Sequence, residues 1–544
     1  MPPLNDIRPS FAGRRSRRVQ QLARASRRPA FSFVSGAGDS AVAVILAAGL
    51  GTRMRSGTPK LLHPILGRPM LAYVVDAARA ATPDRRPIVV TSPATAAIRD
   101  AFAGEVDFAL QADPIGTGDA VRAALEVVPA GAAEVLVISG DVPQVQPELL
   151  LRLLAERRAA RAPMALVVVE TATPGNLGRV VRADDASVRA IVEARDATPA
   201  ELEIDEINTG LYAFDAAWLR SQIGGIEPSR ATGEIYLTHL VDRARGDSGV
   251  ADLLVEDDGT LLGINDRAEL ADAQRNMQLA LNRRLMVAGV TMADPATTWI
   301  DAEVQIASDV VLEPNVVLRG RTRIGEGTVI GAASQVFDSV IGRGCRVWAS
   351  VVEQSEIGDD AEVGPFSHLR PGSSIGRGAR LGNFAEVKNS RIGVGVQQHH
   401  MSYIGDADVG DRTNIGAGTI TANYDGRTKH RTTIGEGVFL GVDTMIVAPI
   451  SIGDGAKTGA GAVVTRDVPP GKLAVGMPAR MREPRPASSE GSAPGGGQPP
   501  PTGQGPASEQ AADAEAAEPP PAIERAVVAA PSSDREARDS GQDP

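Results

Sequence analysis

Residues 311–336 read VLEPNVVLRGRTRIGEGTVIGAASQV, and within them Leu312, Leu318, Ile324, Ile330 and Val336 fall at every sixth position. The phase begins at Ile300 and Ile306. After a slip it resumes at Ile357, Val363, Leu369, Ile375, Leu381 and Val387, and it returns at Ile434, Leu440, Ile446, Ile452, Thr458 and Val464. Glycine often follows the apolar residue directly, as in Ile324-Gly325, Ile357-Gly358 and Ile452-Gly453. One inward apolar residue in six, with small residues at the corners, is the pattern of a parallel β-helix. A single coil cannot bury its apolar side alone, so many coils must stack. The pattern predicts a solenoid over residues 291–484.

Upstream of the solenoid, Leu270, Met277, Leu281 and Leu285 recur at helical multiples, which predicts a linker helix over 266–290. Residues 41–265 alternate short β-rich apolar runs, at 41–48, 88–91, 134–139 and 164–169, with Ala- and Arg-rich stretches. Buried runs alternating with helices predict an α/β doubly wound, Rossmann-like domain: a parallel sheet with helices on both faces. A chain of 544 residues accommodates such a series of domains.

The two ends differ from the rest. Residues 1–40 hold eight Arg against two Asp, and residues 485–544 hold four Arg against ten acidic residues among many Pro, Gly, Ser and Ala. Both compositions predict disordered tails, basic and acidic in turn. An organelle-targeting peptide is the alternative for the basic stretch. The net charge of −11 argues against nucleic-acid binding by the whole chain. The longest apolar run is too short for the ~20 residues of a membrane helix, so no membrane partner is expected. A lone cysteine, Cys345, fits a reducing, cytoplasmic compartment.

The stretch LAAGLGTRM at 46–54 follows the first predicted strand and leads into Pro59-Lys60. It is neither a Walker loop nor a dinucleotide fingerprint, because it lacks Gly-Lys-Ser/Thr and Met54 replaces the third glycine. It still has the logic of a phosphate cradle. Gly49 and Gly51 admit an anion close to backbone N–H groups, and Arg53 and Lys60 add positive charge.

These residues resemble the sugar-1-phosphate nucleotidyltransferase signature. Three further blocks narrow the resemblance: QADPIGTGDA at 111–120, SGDVP at 139–143 and EINTGLYAF at 206–214. Together with the C-terminal repeat, the chain over roughly 41–470 is similar to the bacterial family of bifunctional N-acetylglucosamine-1-phosphate uridylyltransferases/glucosamine-1-phosphate acetyltransferases. The resemblance implies a nucleotidyltransferase domain followed by a left-handed β-helix. It implies that Leu46, Ala47, Ala48, Gly49, Gln111, Gly116 and Thr117 hold the UTP, with Gln111 reading the uracil. Gly178, Glu193 and Asn208 would bind the sugar, Asp141 and Asn265 would hold Mg²⁺, with Asn265 also a substrate contact, and Arg53 and Lys60 would clamp the triphosphate catalytically. Taken singly, Asp141 reads equally well as the cap of a turn, Asn265 as a helix N-cap, and Glu193 as a solvated strand-end charge. Arg195 stands where many relatives carry Lys.

The six-residue phase lapses at 397–403, QQHHMSY, and at 421–433, TANYDGRTKHRTT. Both lapses are expected to be loops, where sites concentrate. A histidine there suits a general base for an amine attacking a thioester. The resemblance aligns His400 with that base, His399 being its neighbour. It further implies that Arg370, Lys388, Tyr403 and Asn414 bind the sugar-phosphate acceptor. Ala417, Asn423, Tyr424, Val442 and Ala460 would meet acetyl-coenzyme A, although Val442 stands where the family usually has Ser. The family's basic ending is not recognisable after GMPAR at 476–480. The reading is an enzyme that acetylates glucosamine 1-phosphate, then couples the product to UTP with release of pyrophosphate. Mg²⁺ and acetyl-coenzyme A are its cofactor and co-substrate, and a cytoplasmic homotrimer with sites between subunits supplies cell-wall precursor. The alternative is a uridylyltransferase on a purely structural solenoid; a non-enzymatic assembly subunit is disfavoured by the presence of Lys60 and Asp141.

Overall fold

The computed structural model describes residues 41–230 and 232–483; both tails expected to be disordered lie outside these residues. The N-terminal half is built on one sheet. Its strands run in the order Val250–Glu256, Met164–Glu170, Glu206–Asp215, Glu134–Ser139, Ala41–Leu46, Ile88–Thr91, Asp107–Leu110. Alternate residues of the central strands feed opposite cores. Ala43, Ile45, Leu136 and Ile138 pack with Leu71, Val74 and Leu150 of the helices Met70–Ala81 and Pro147–Ala160. Val42, Val44, Val135 and Val137 pack with Val121 of Thr117–Leu125 and Leu240 of Leu240–Asp247. Both faces are covered, which explains why these strands read as unbroken apolar runs rather than alternating ones.

The sheet is mixed, not parallel throughout. Strand Glu206–Asp215 runs antiparallel to both its neighbours. After Met164–Glu170 the chain makes an antiparallel pair, Arg179–Arg182 with Val188–Val192, and returns through a short helix. No long crossover helix intervenes, and a parallel neighbour would require one.

The helix Arg267–Val287 is capped by Asp266, whose carboxylate accepts from the N–H groups of Ala268 and Glu269. Its buried Gln278 and Asn282 clasp the first coil of the solenoid. Gln278 Oε1 accepts from Ile300 N at 3.2 Å, and Asn282 Nδ2 donates to the carbonyls of Pro295 and Thr298 at 2.8 and 2.9 Å. A second joint links Ala302 N to the Leu66 carbonyl at 2.9 Å. One continuous core therefore runs from Ile45 through Leu281 and Ile300 into the coils.

The solenoid is three sheets of 12, 10 and 9 strands, most of them only two or three residues long and all paired in parallel except the closing antiparallel pair Leu473–Gly476 with Ala479–Arg482. The sixth-position residues stack coil on coil: Leu312 on Ile330, Leu318 on Val336, Ile324 on Ile341. All six are essentially sealed from water. The lapse expected at 397–403 is not a loop. Gln397–Gln398 is a regular strand, and fully buried Gln398 occupies the inward position. Its Nε2 donates to Ser402 Oγ at 2.9 Å while Oε1 is buried without a partner, so a half-satisfied polar side chain stands where the pattern calls for an apolar one. The second lapse is a true excursion: residues 423–431 leave the coil between strands Ile420–Ala422 and Thr432–Ile434. Among the described residues no helix is long and apolar enough to cross a membrane.

Candidate active sites

In the N-terminal domain the implied residues gather along the C-terminal ends of the strands, joined by a chain of hydrogen bonds. Ser92 Oγ donates to the Ala48 carbonyl at 2.9 Å, and Gln111 N donates to Thr91 O at 2.8 Å. Gln111 lies against the turn ahead of helix Thr117–Leu125, with Nε2 on the Gly116 carbonyl at 3.1 Å. Gly116 holds φ +129°, and a Cβ there would run into the Ile235 backbone, so no other residue fits this turn. Thr117 Oγ1 accepts from Leu237 N at 3.0 Å, and the next residue, Thr238, donates its hydroxyl to Glu193 Oε1 at 3.1 Å. Consecutive residues thus tie the Gln111–Thr117 group to Glu193.

Gly178, Glu193 and Asn208 do come together. Asn208 N donates to the Gly178 carbonyl at 2.9 Å. A Cβ on Gly178 would stand 3.4 Å from Glu193 Oε2. Glu193 is no solvated strand end. Burial raises the pKa of its carboxyl, against the opposing hydrogen bond from Thr238.

The cations and the oxygen donors are paired in the same region. Lys60 Nζ lies 2.6 Å from Asp141 Oδ2, and Arg53 Nη2 donates to Asn265 Oδ1 at 2.9 Å. Asp141 and Asn265 sit on neighbouring segments, because Ile264 N donates to the Asp141 carbonyl at 3.0 Å. The helix is capped by Asp266 and not by Asn265, whose Nδ2 instead donates to the Gly263 carbonyl at 2.9 Å while Oδ1 takes Arg53. Gly51, in the left-handed region at φ +59°, lies so close to the Lys60 stem that a Cβ would come within 2.6 Å of it. The glycine-rich turn and Lys60 are therefore packed together. Leu46 and Ala47 belong to the strand end itself, Leu46 accepting from Gly140 N and Ala47 donating to Val90 O, each at 3.0 Å. Gly49 is exposed with open space around it.

On the solenoid, Arg370, Lys388 and Gly405 follow one another up one corner: Arg370 N donates to Val387 O at 2.8 Å, and Lys388 pairs with Gly405. Arg370 Nη1 bonds Glu386 Oε1 at 2.9 Å. The ammonium of Lys429, from the 423–431 excursion, lies beside Lys388 and is the first cause of its lowered pKa. Buried Asp406 binds two amides at once, accepting from Asn389 Nδ2 at 2.5 Å and from Asn423 Nδ2. It fixes Asn423 at the root of the excursion, which Tyr424 and Lys429 close by bridging.

His400 belongs to a different corner. Gln397, Asn414, Phe439 and Lys457 are in register on successive coils. Three residues beyond each stand His400, Ala417, Val442 and Ala460, which therefore form one column. His399 and His400 are both exposed, their ring centroids 6.4 Å apart. Within one chain, His400 and the pair Arg370–Lys388 stand at opposite ends of strand Ser402–Gly405, separated by about 10 Å of strand. The Tyr403 ring bridges part of that gap by lying over Gly405, where a Cβ would sit 2.6 Å from Cζ. Sequence reasoning missed Asp119, Thr238, Glu386, Asp406 and Lys429. Asp119 and Lys429 lie inside quoted blocks, but their partners are revealed only by the fold.

A strand-end nucleotide cradle on a mixed α/β sheet, joined to a coil of hexads with an exposed histidine, defines a two-domain transferase. Comparison with known proteins bears this out. The family model for the MobA-like NTP transferase domain matches residues 43–201, and that for the bacterial transferase hexapeptide (six repeats) matches 354–389 and 431–466. Curated relatives named bifunctional protein GlmU include those of Kineococcus radiotolerans, 43 % identical over 442 residues, and Mycobacterium tuberculosis, 43 % identical over 450 residues. A third, from Mycobacterium bovis, is 44 % identical over 452 residues. Each alignment covers 80 % of this chain and 90 % of the relative. The chain belongs to the bifunctional GlmU family, and is an enzyme combining a uridylyltransferase with an acetyltransferase.

Proposed function

We propose that the strand-end cradle transfers UMP from UTP to N-acetylglucosamine 1-phosphate, and that the solenoid makes that acceptor by acetylating glucosamine 1-phosphate. The observation that carries the first half is the unbroken chain of bonds from Ala48 through Gln111, Thr117 and Leu237-Thr238 to Glu193. It supports a reading in which the Gln111–Thr117 group takes the base and the Glu193 group takes the sugar, with Lys60 and Arg53 meeting the phosphates. A phosphate oxygen of the sugar phosphate attacks the α-phosphorus of UTP, the bond to the β-phosphate oxygen breaks, and pyrophosphate leaves. Arg53 and Lys60 neutralise charge that spreads over the phosphate oxygens.

Asp141 and Asn265 supply one carboxylate and one carboxamide oxygen on adjoining segments. That is the sparse, hard-oxygen set Mg²⁺ prefers when phosphates and water complete its shell. Both oxygens already attract protein cations, which supports the fit. When bound there, Mg²⁺ would supply charge neutralisation at the phosphates.

In the solenoid, His400 takes the proton as the amine of glucosamine 1-phosphate attacks the thioester carbonyl, and coenzyme A leaves as its thiolate. Lys388, its pKa lowered chiefly by neighbouring Lys429, forms with Arg370 a cationic corner that an acceptor phosphate would relieve. Asn414, Asn423 and Tyr424 line the approach, and the column Ala417–Val442–Ala460 receives the coenzyme arm. Because His400 and Arg370–Lys388 occupy different corners, a complete site needs Tyr403 to span them or a second subunit to close it. An exposed apolar stack supports a homotrimer. Phe366 and Phe384 are both 60 % exposed with ring centroids 5.4 Å apart, and Met401 next to His400 is 64 % exposed. Substrates of this polarity and the reduced Cys345 suit the cytoplasm.

The decisive experiment adds acetyl-coenzyme A and glucosamine 1-phosphate to the full chain and measures free thiol. Sugar-dependent release that collapses in His400→Ala, with uridylyl transfer intact, is the expected result. No thiol release from protein that still makes UDP-N-acetylglucosamine would reduce the solenoid to a scaffold.

A further inference from the structure

The Gln111 side chain is 3 % exposed, and its amide is held at both N–H positions. Nε2 donates to the Gly116 carbonyl at 3.1 Å and to Asp119 Oδ2 at 2.8 Å. Asp119 is itself 7 % exposed, and its second oxygen is ion-paired with Arg122. A carboxamide is a two-sided group, with two donors on nitrogen and an acceptor on oxygen. Turned over, it would set Oε1 against a carbonyl and a carboxylate, two acceptor–acceptor contacts in a buried place where unpaired polar atoms are most costly. Only one orientation is therefore possible. It engages both N–H groups and leaves Oε1 as the group's remaining acceptor, which is not among the sealed, unpartnered polar atoms of the interior.

The neighbouring Gly116 N–H donates to no protein acceptor among the described residues. A backbone donor on Gly116 and a side-chain acceptor on Gln111, two residues already joined through the Gly116 carbonyl, are thus left without a protein partner among the described residues. Uracil presents the complement, an O4 acceptor beside an N3–H donor. Cytosine presents the reverse, an amino donor beside the N3 acceptor, and would meet like against like at both positions.

We infer that Asp119 is a positioning residue for base selection: it locks the Gln111 amide so that Oε1 alone faces the base, and thereby excludes cytosine. The inference rests on the reading that Gln111 contacts the base. Asp119 touches no substrate; it acts through Gln111, and Arg122 acts only by holding Asp119.

The test measures kcat/KM for UTP and for CTP with N-acetylglucosamine 1-phosphate, using the full chain. Wild type is expected to prefer UTP, and Gln111→Ala to lose most of that preference. Asp119→Asn removes the charge that forbids the turned-over amide. Its UTP/CTP ratio is expected to fall by at least ~10-fold, a larger share coming from gained CTP turnover than a merely damaged fold could give. Arg122→Met, which leaves the carboxylate in place, is expected to keep the ratio within about threefold. If Asp119→Asn is too unstable to assay, Asp119→Ala removes the lock by a different route. An unchanged ratio in a folded Asp119 variant, while Gln111→Ala loses selectivity, would overturn the role of Asp119 and leave that of Gln111 standing. An unchanged ratio in Gln111→Ala would overturn the base contact itself and the inference with it.

Discussion

The Lys60 ammonium rests 2.6 Å from the Asp141 carboxylate, with only 13 % and 20 % of the two side chains open to solvent. The carboxylate proposed for a divalent cation is thus already matched by a lysine packed against the glycine-rich turn. On the proposed reading, a bound triphosphate would offer Lys60 a second anion and free Asp141. Lys60→Met is expected to lower uridylyl kcat/KM by ~100-fold or more, while acetyl transfer stays at its wild-type rate. The loss of folding stability should approach ~3 kcal/mol, since the substitution leaves a largely buried carboxylate without its cation. A parallel fall in both activities would point to global damage instead.

Glu193 gives a pH signature. Its pKa is raised by burial, so the folded state holds this proton more tightly than the unfolded chain. The stabilising contribution is complete below the unfolded value of ~4.3 and is lost as pH rises through the folded pKa. Glu193→Gln should therefore match wild type in Tm near pH 4 and exceed it increasingly toward neutrality. The same variant should raise the KM for the sugar phosphate. A Tm difference independent of pH would show that ionisation of Glu193 does not oppose folding.

The exposed Phe366–Phe384 stack makes the assembly testable. Phe366→Asp and Phe384→Asp place a charge on the solenoid's surface, at positions 60 % exposed, so the coil itself should still fold. Sedimentation is expected to show a smaller species, with acetyl transfer reduced at least tenfold and uridylyl transfer unchanged. A trimer that survives both substitutions would place the subunit contact elsewhere.

Cys345 should be silent in the native protein. Its thiol is buried inside a coil, within 3.2 Å of the Gly358 carbonyl, and burial pushes its pKa up. A thiol-reactive dye should detect no group in the folded chain and one per chain after denaturation. Rapid native labelling would show that the coil around Cys345 opens.

Much of this architecture is legible in the sequence because a coil must turn one residue in six inward, and nothing else in a chain repeats at that interval. The exceptions are instructive. Gln398 reads as a lapse since its Ser402 partner, four residues on, is invisible to a hydropathy pattern. Strand Glu206–Asp215 enters the sequence reading only as a block of resemblance, and its antiparallel direction is invisible there, because a period of two is the same either way up the sheet. The phosphate cradle is local, so its residues are found in one block. Thr238 lies 45 residues from Glu193 and is brought to it only by the fold. Asp119 lies in a quoted block, yet its meaning depends on which edge of the Gln111 amide it takes.

The column of His400, Ala417, Val442 and Ala460 is graduated. Each step is one inter-strand spacing of about 4.8 Å, so three steps measure about 14 Å along the solenoid axis. On the proposed reading, a flexible thioester arm laid on it would be gripped at fixed intervals, and each level could be altered without disturbing the others. Val442 is one such level, 49 % exposed between two alanines. Removing the whole coil that bears it would leave a foldable stack and bring Ala460 one graduation nearer to His400. If the column receives the coenzyme arm as proposed, the length of donor accepted would be set in whole coils.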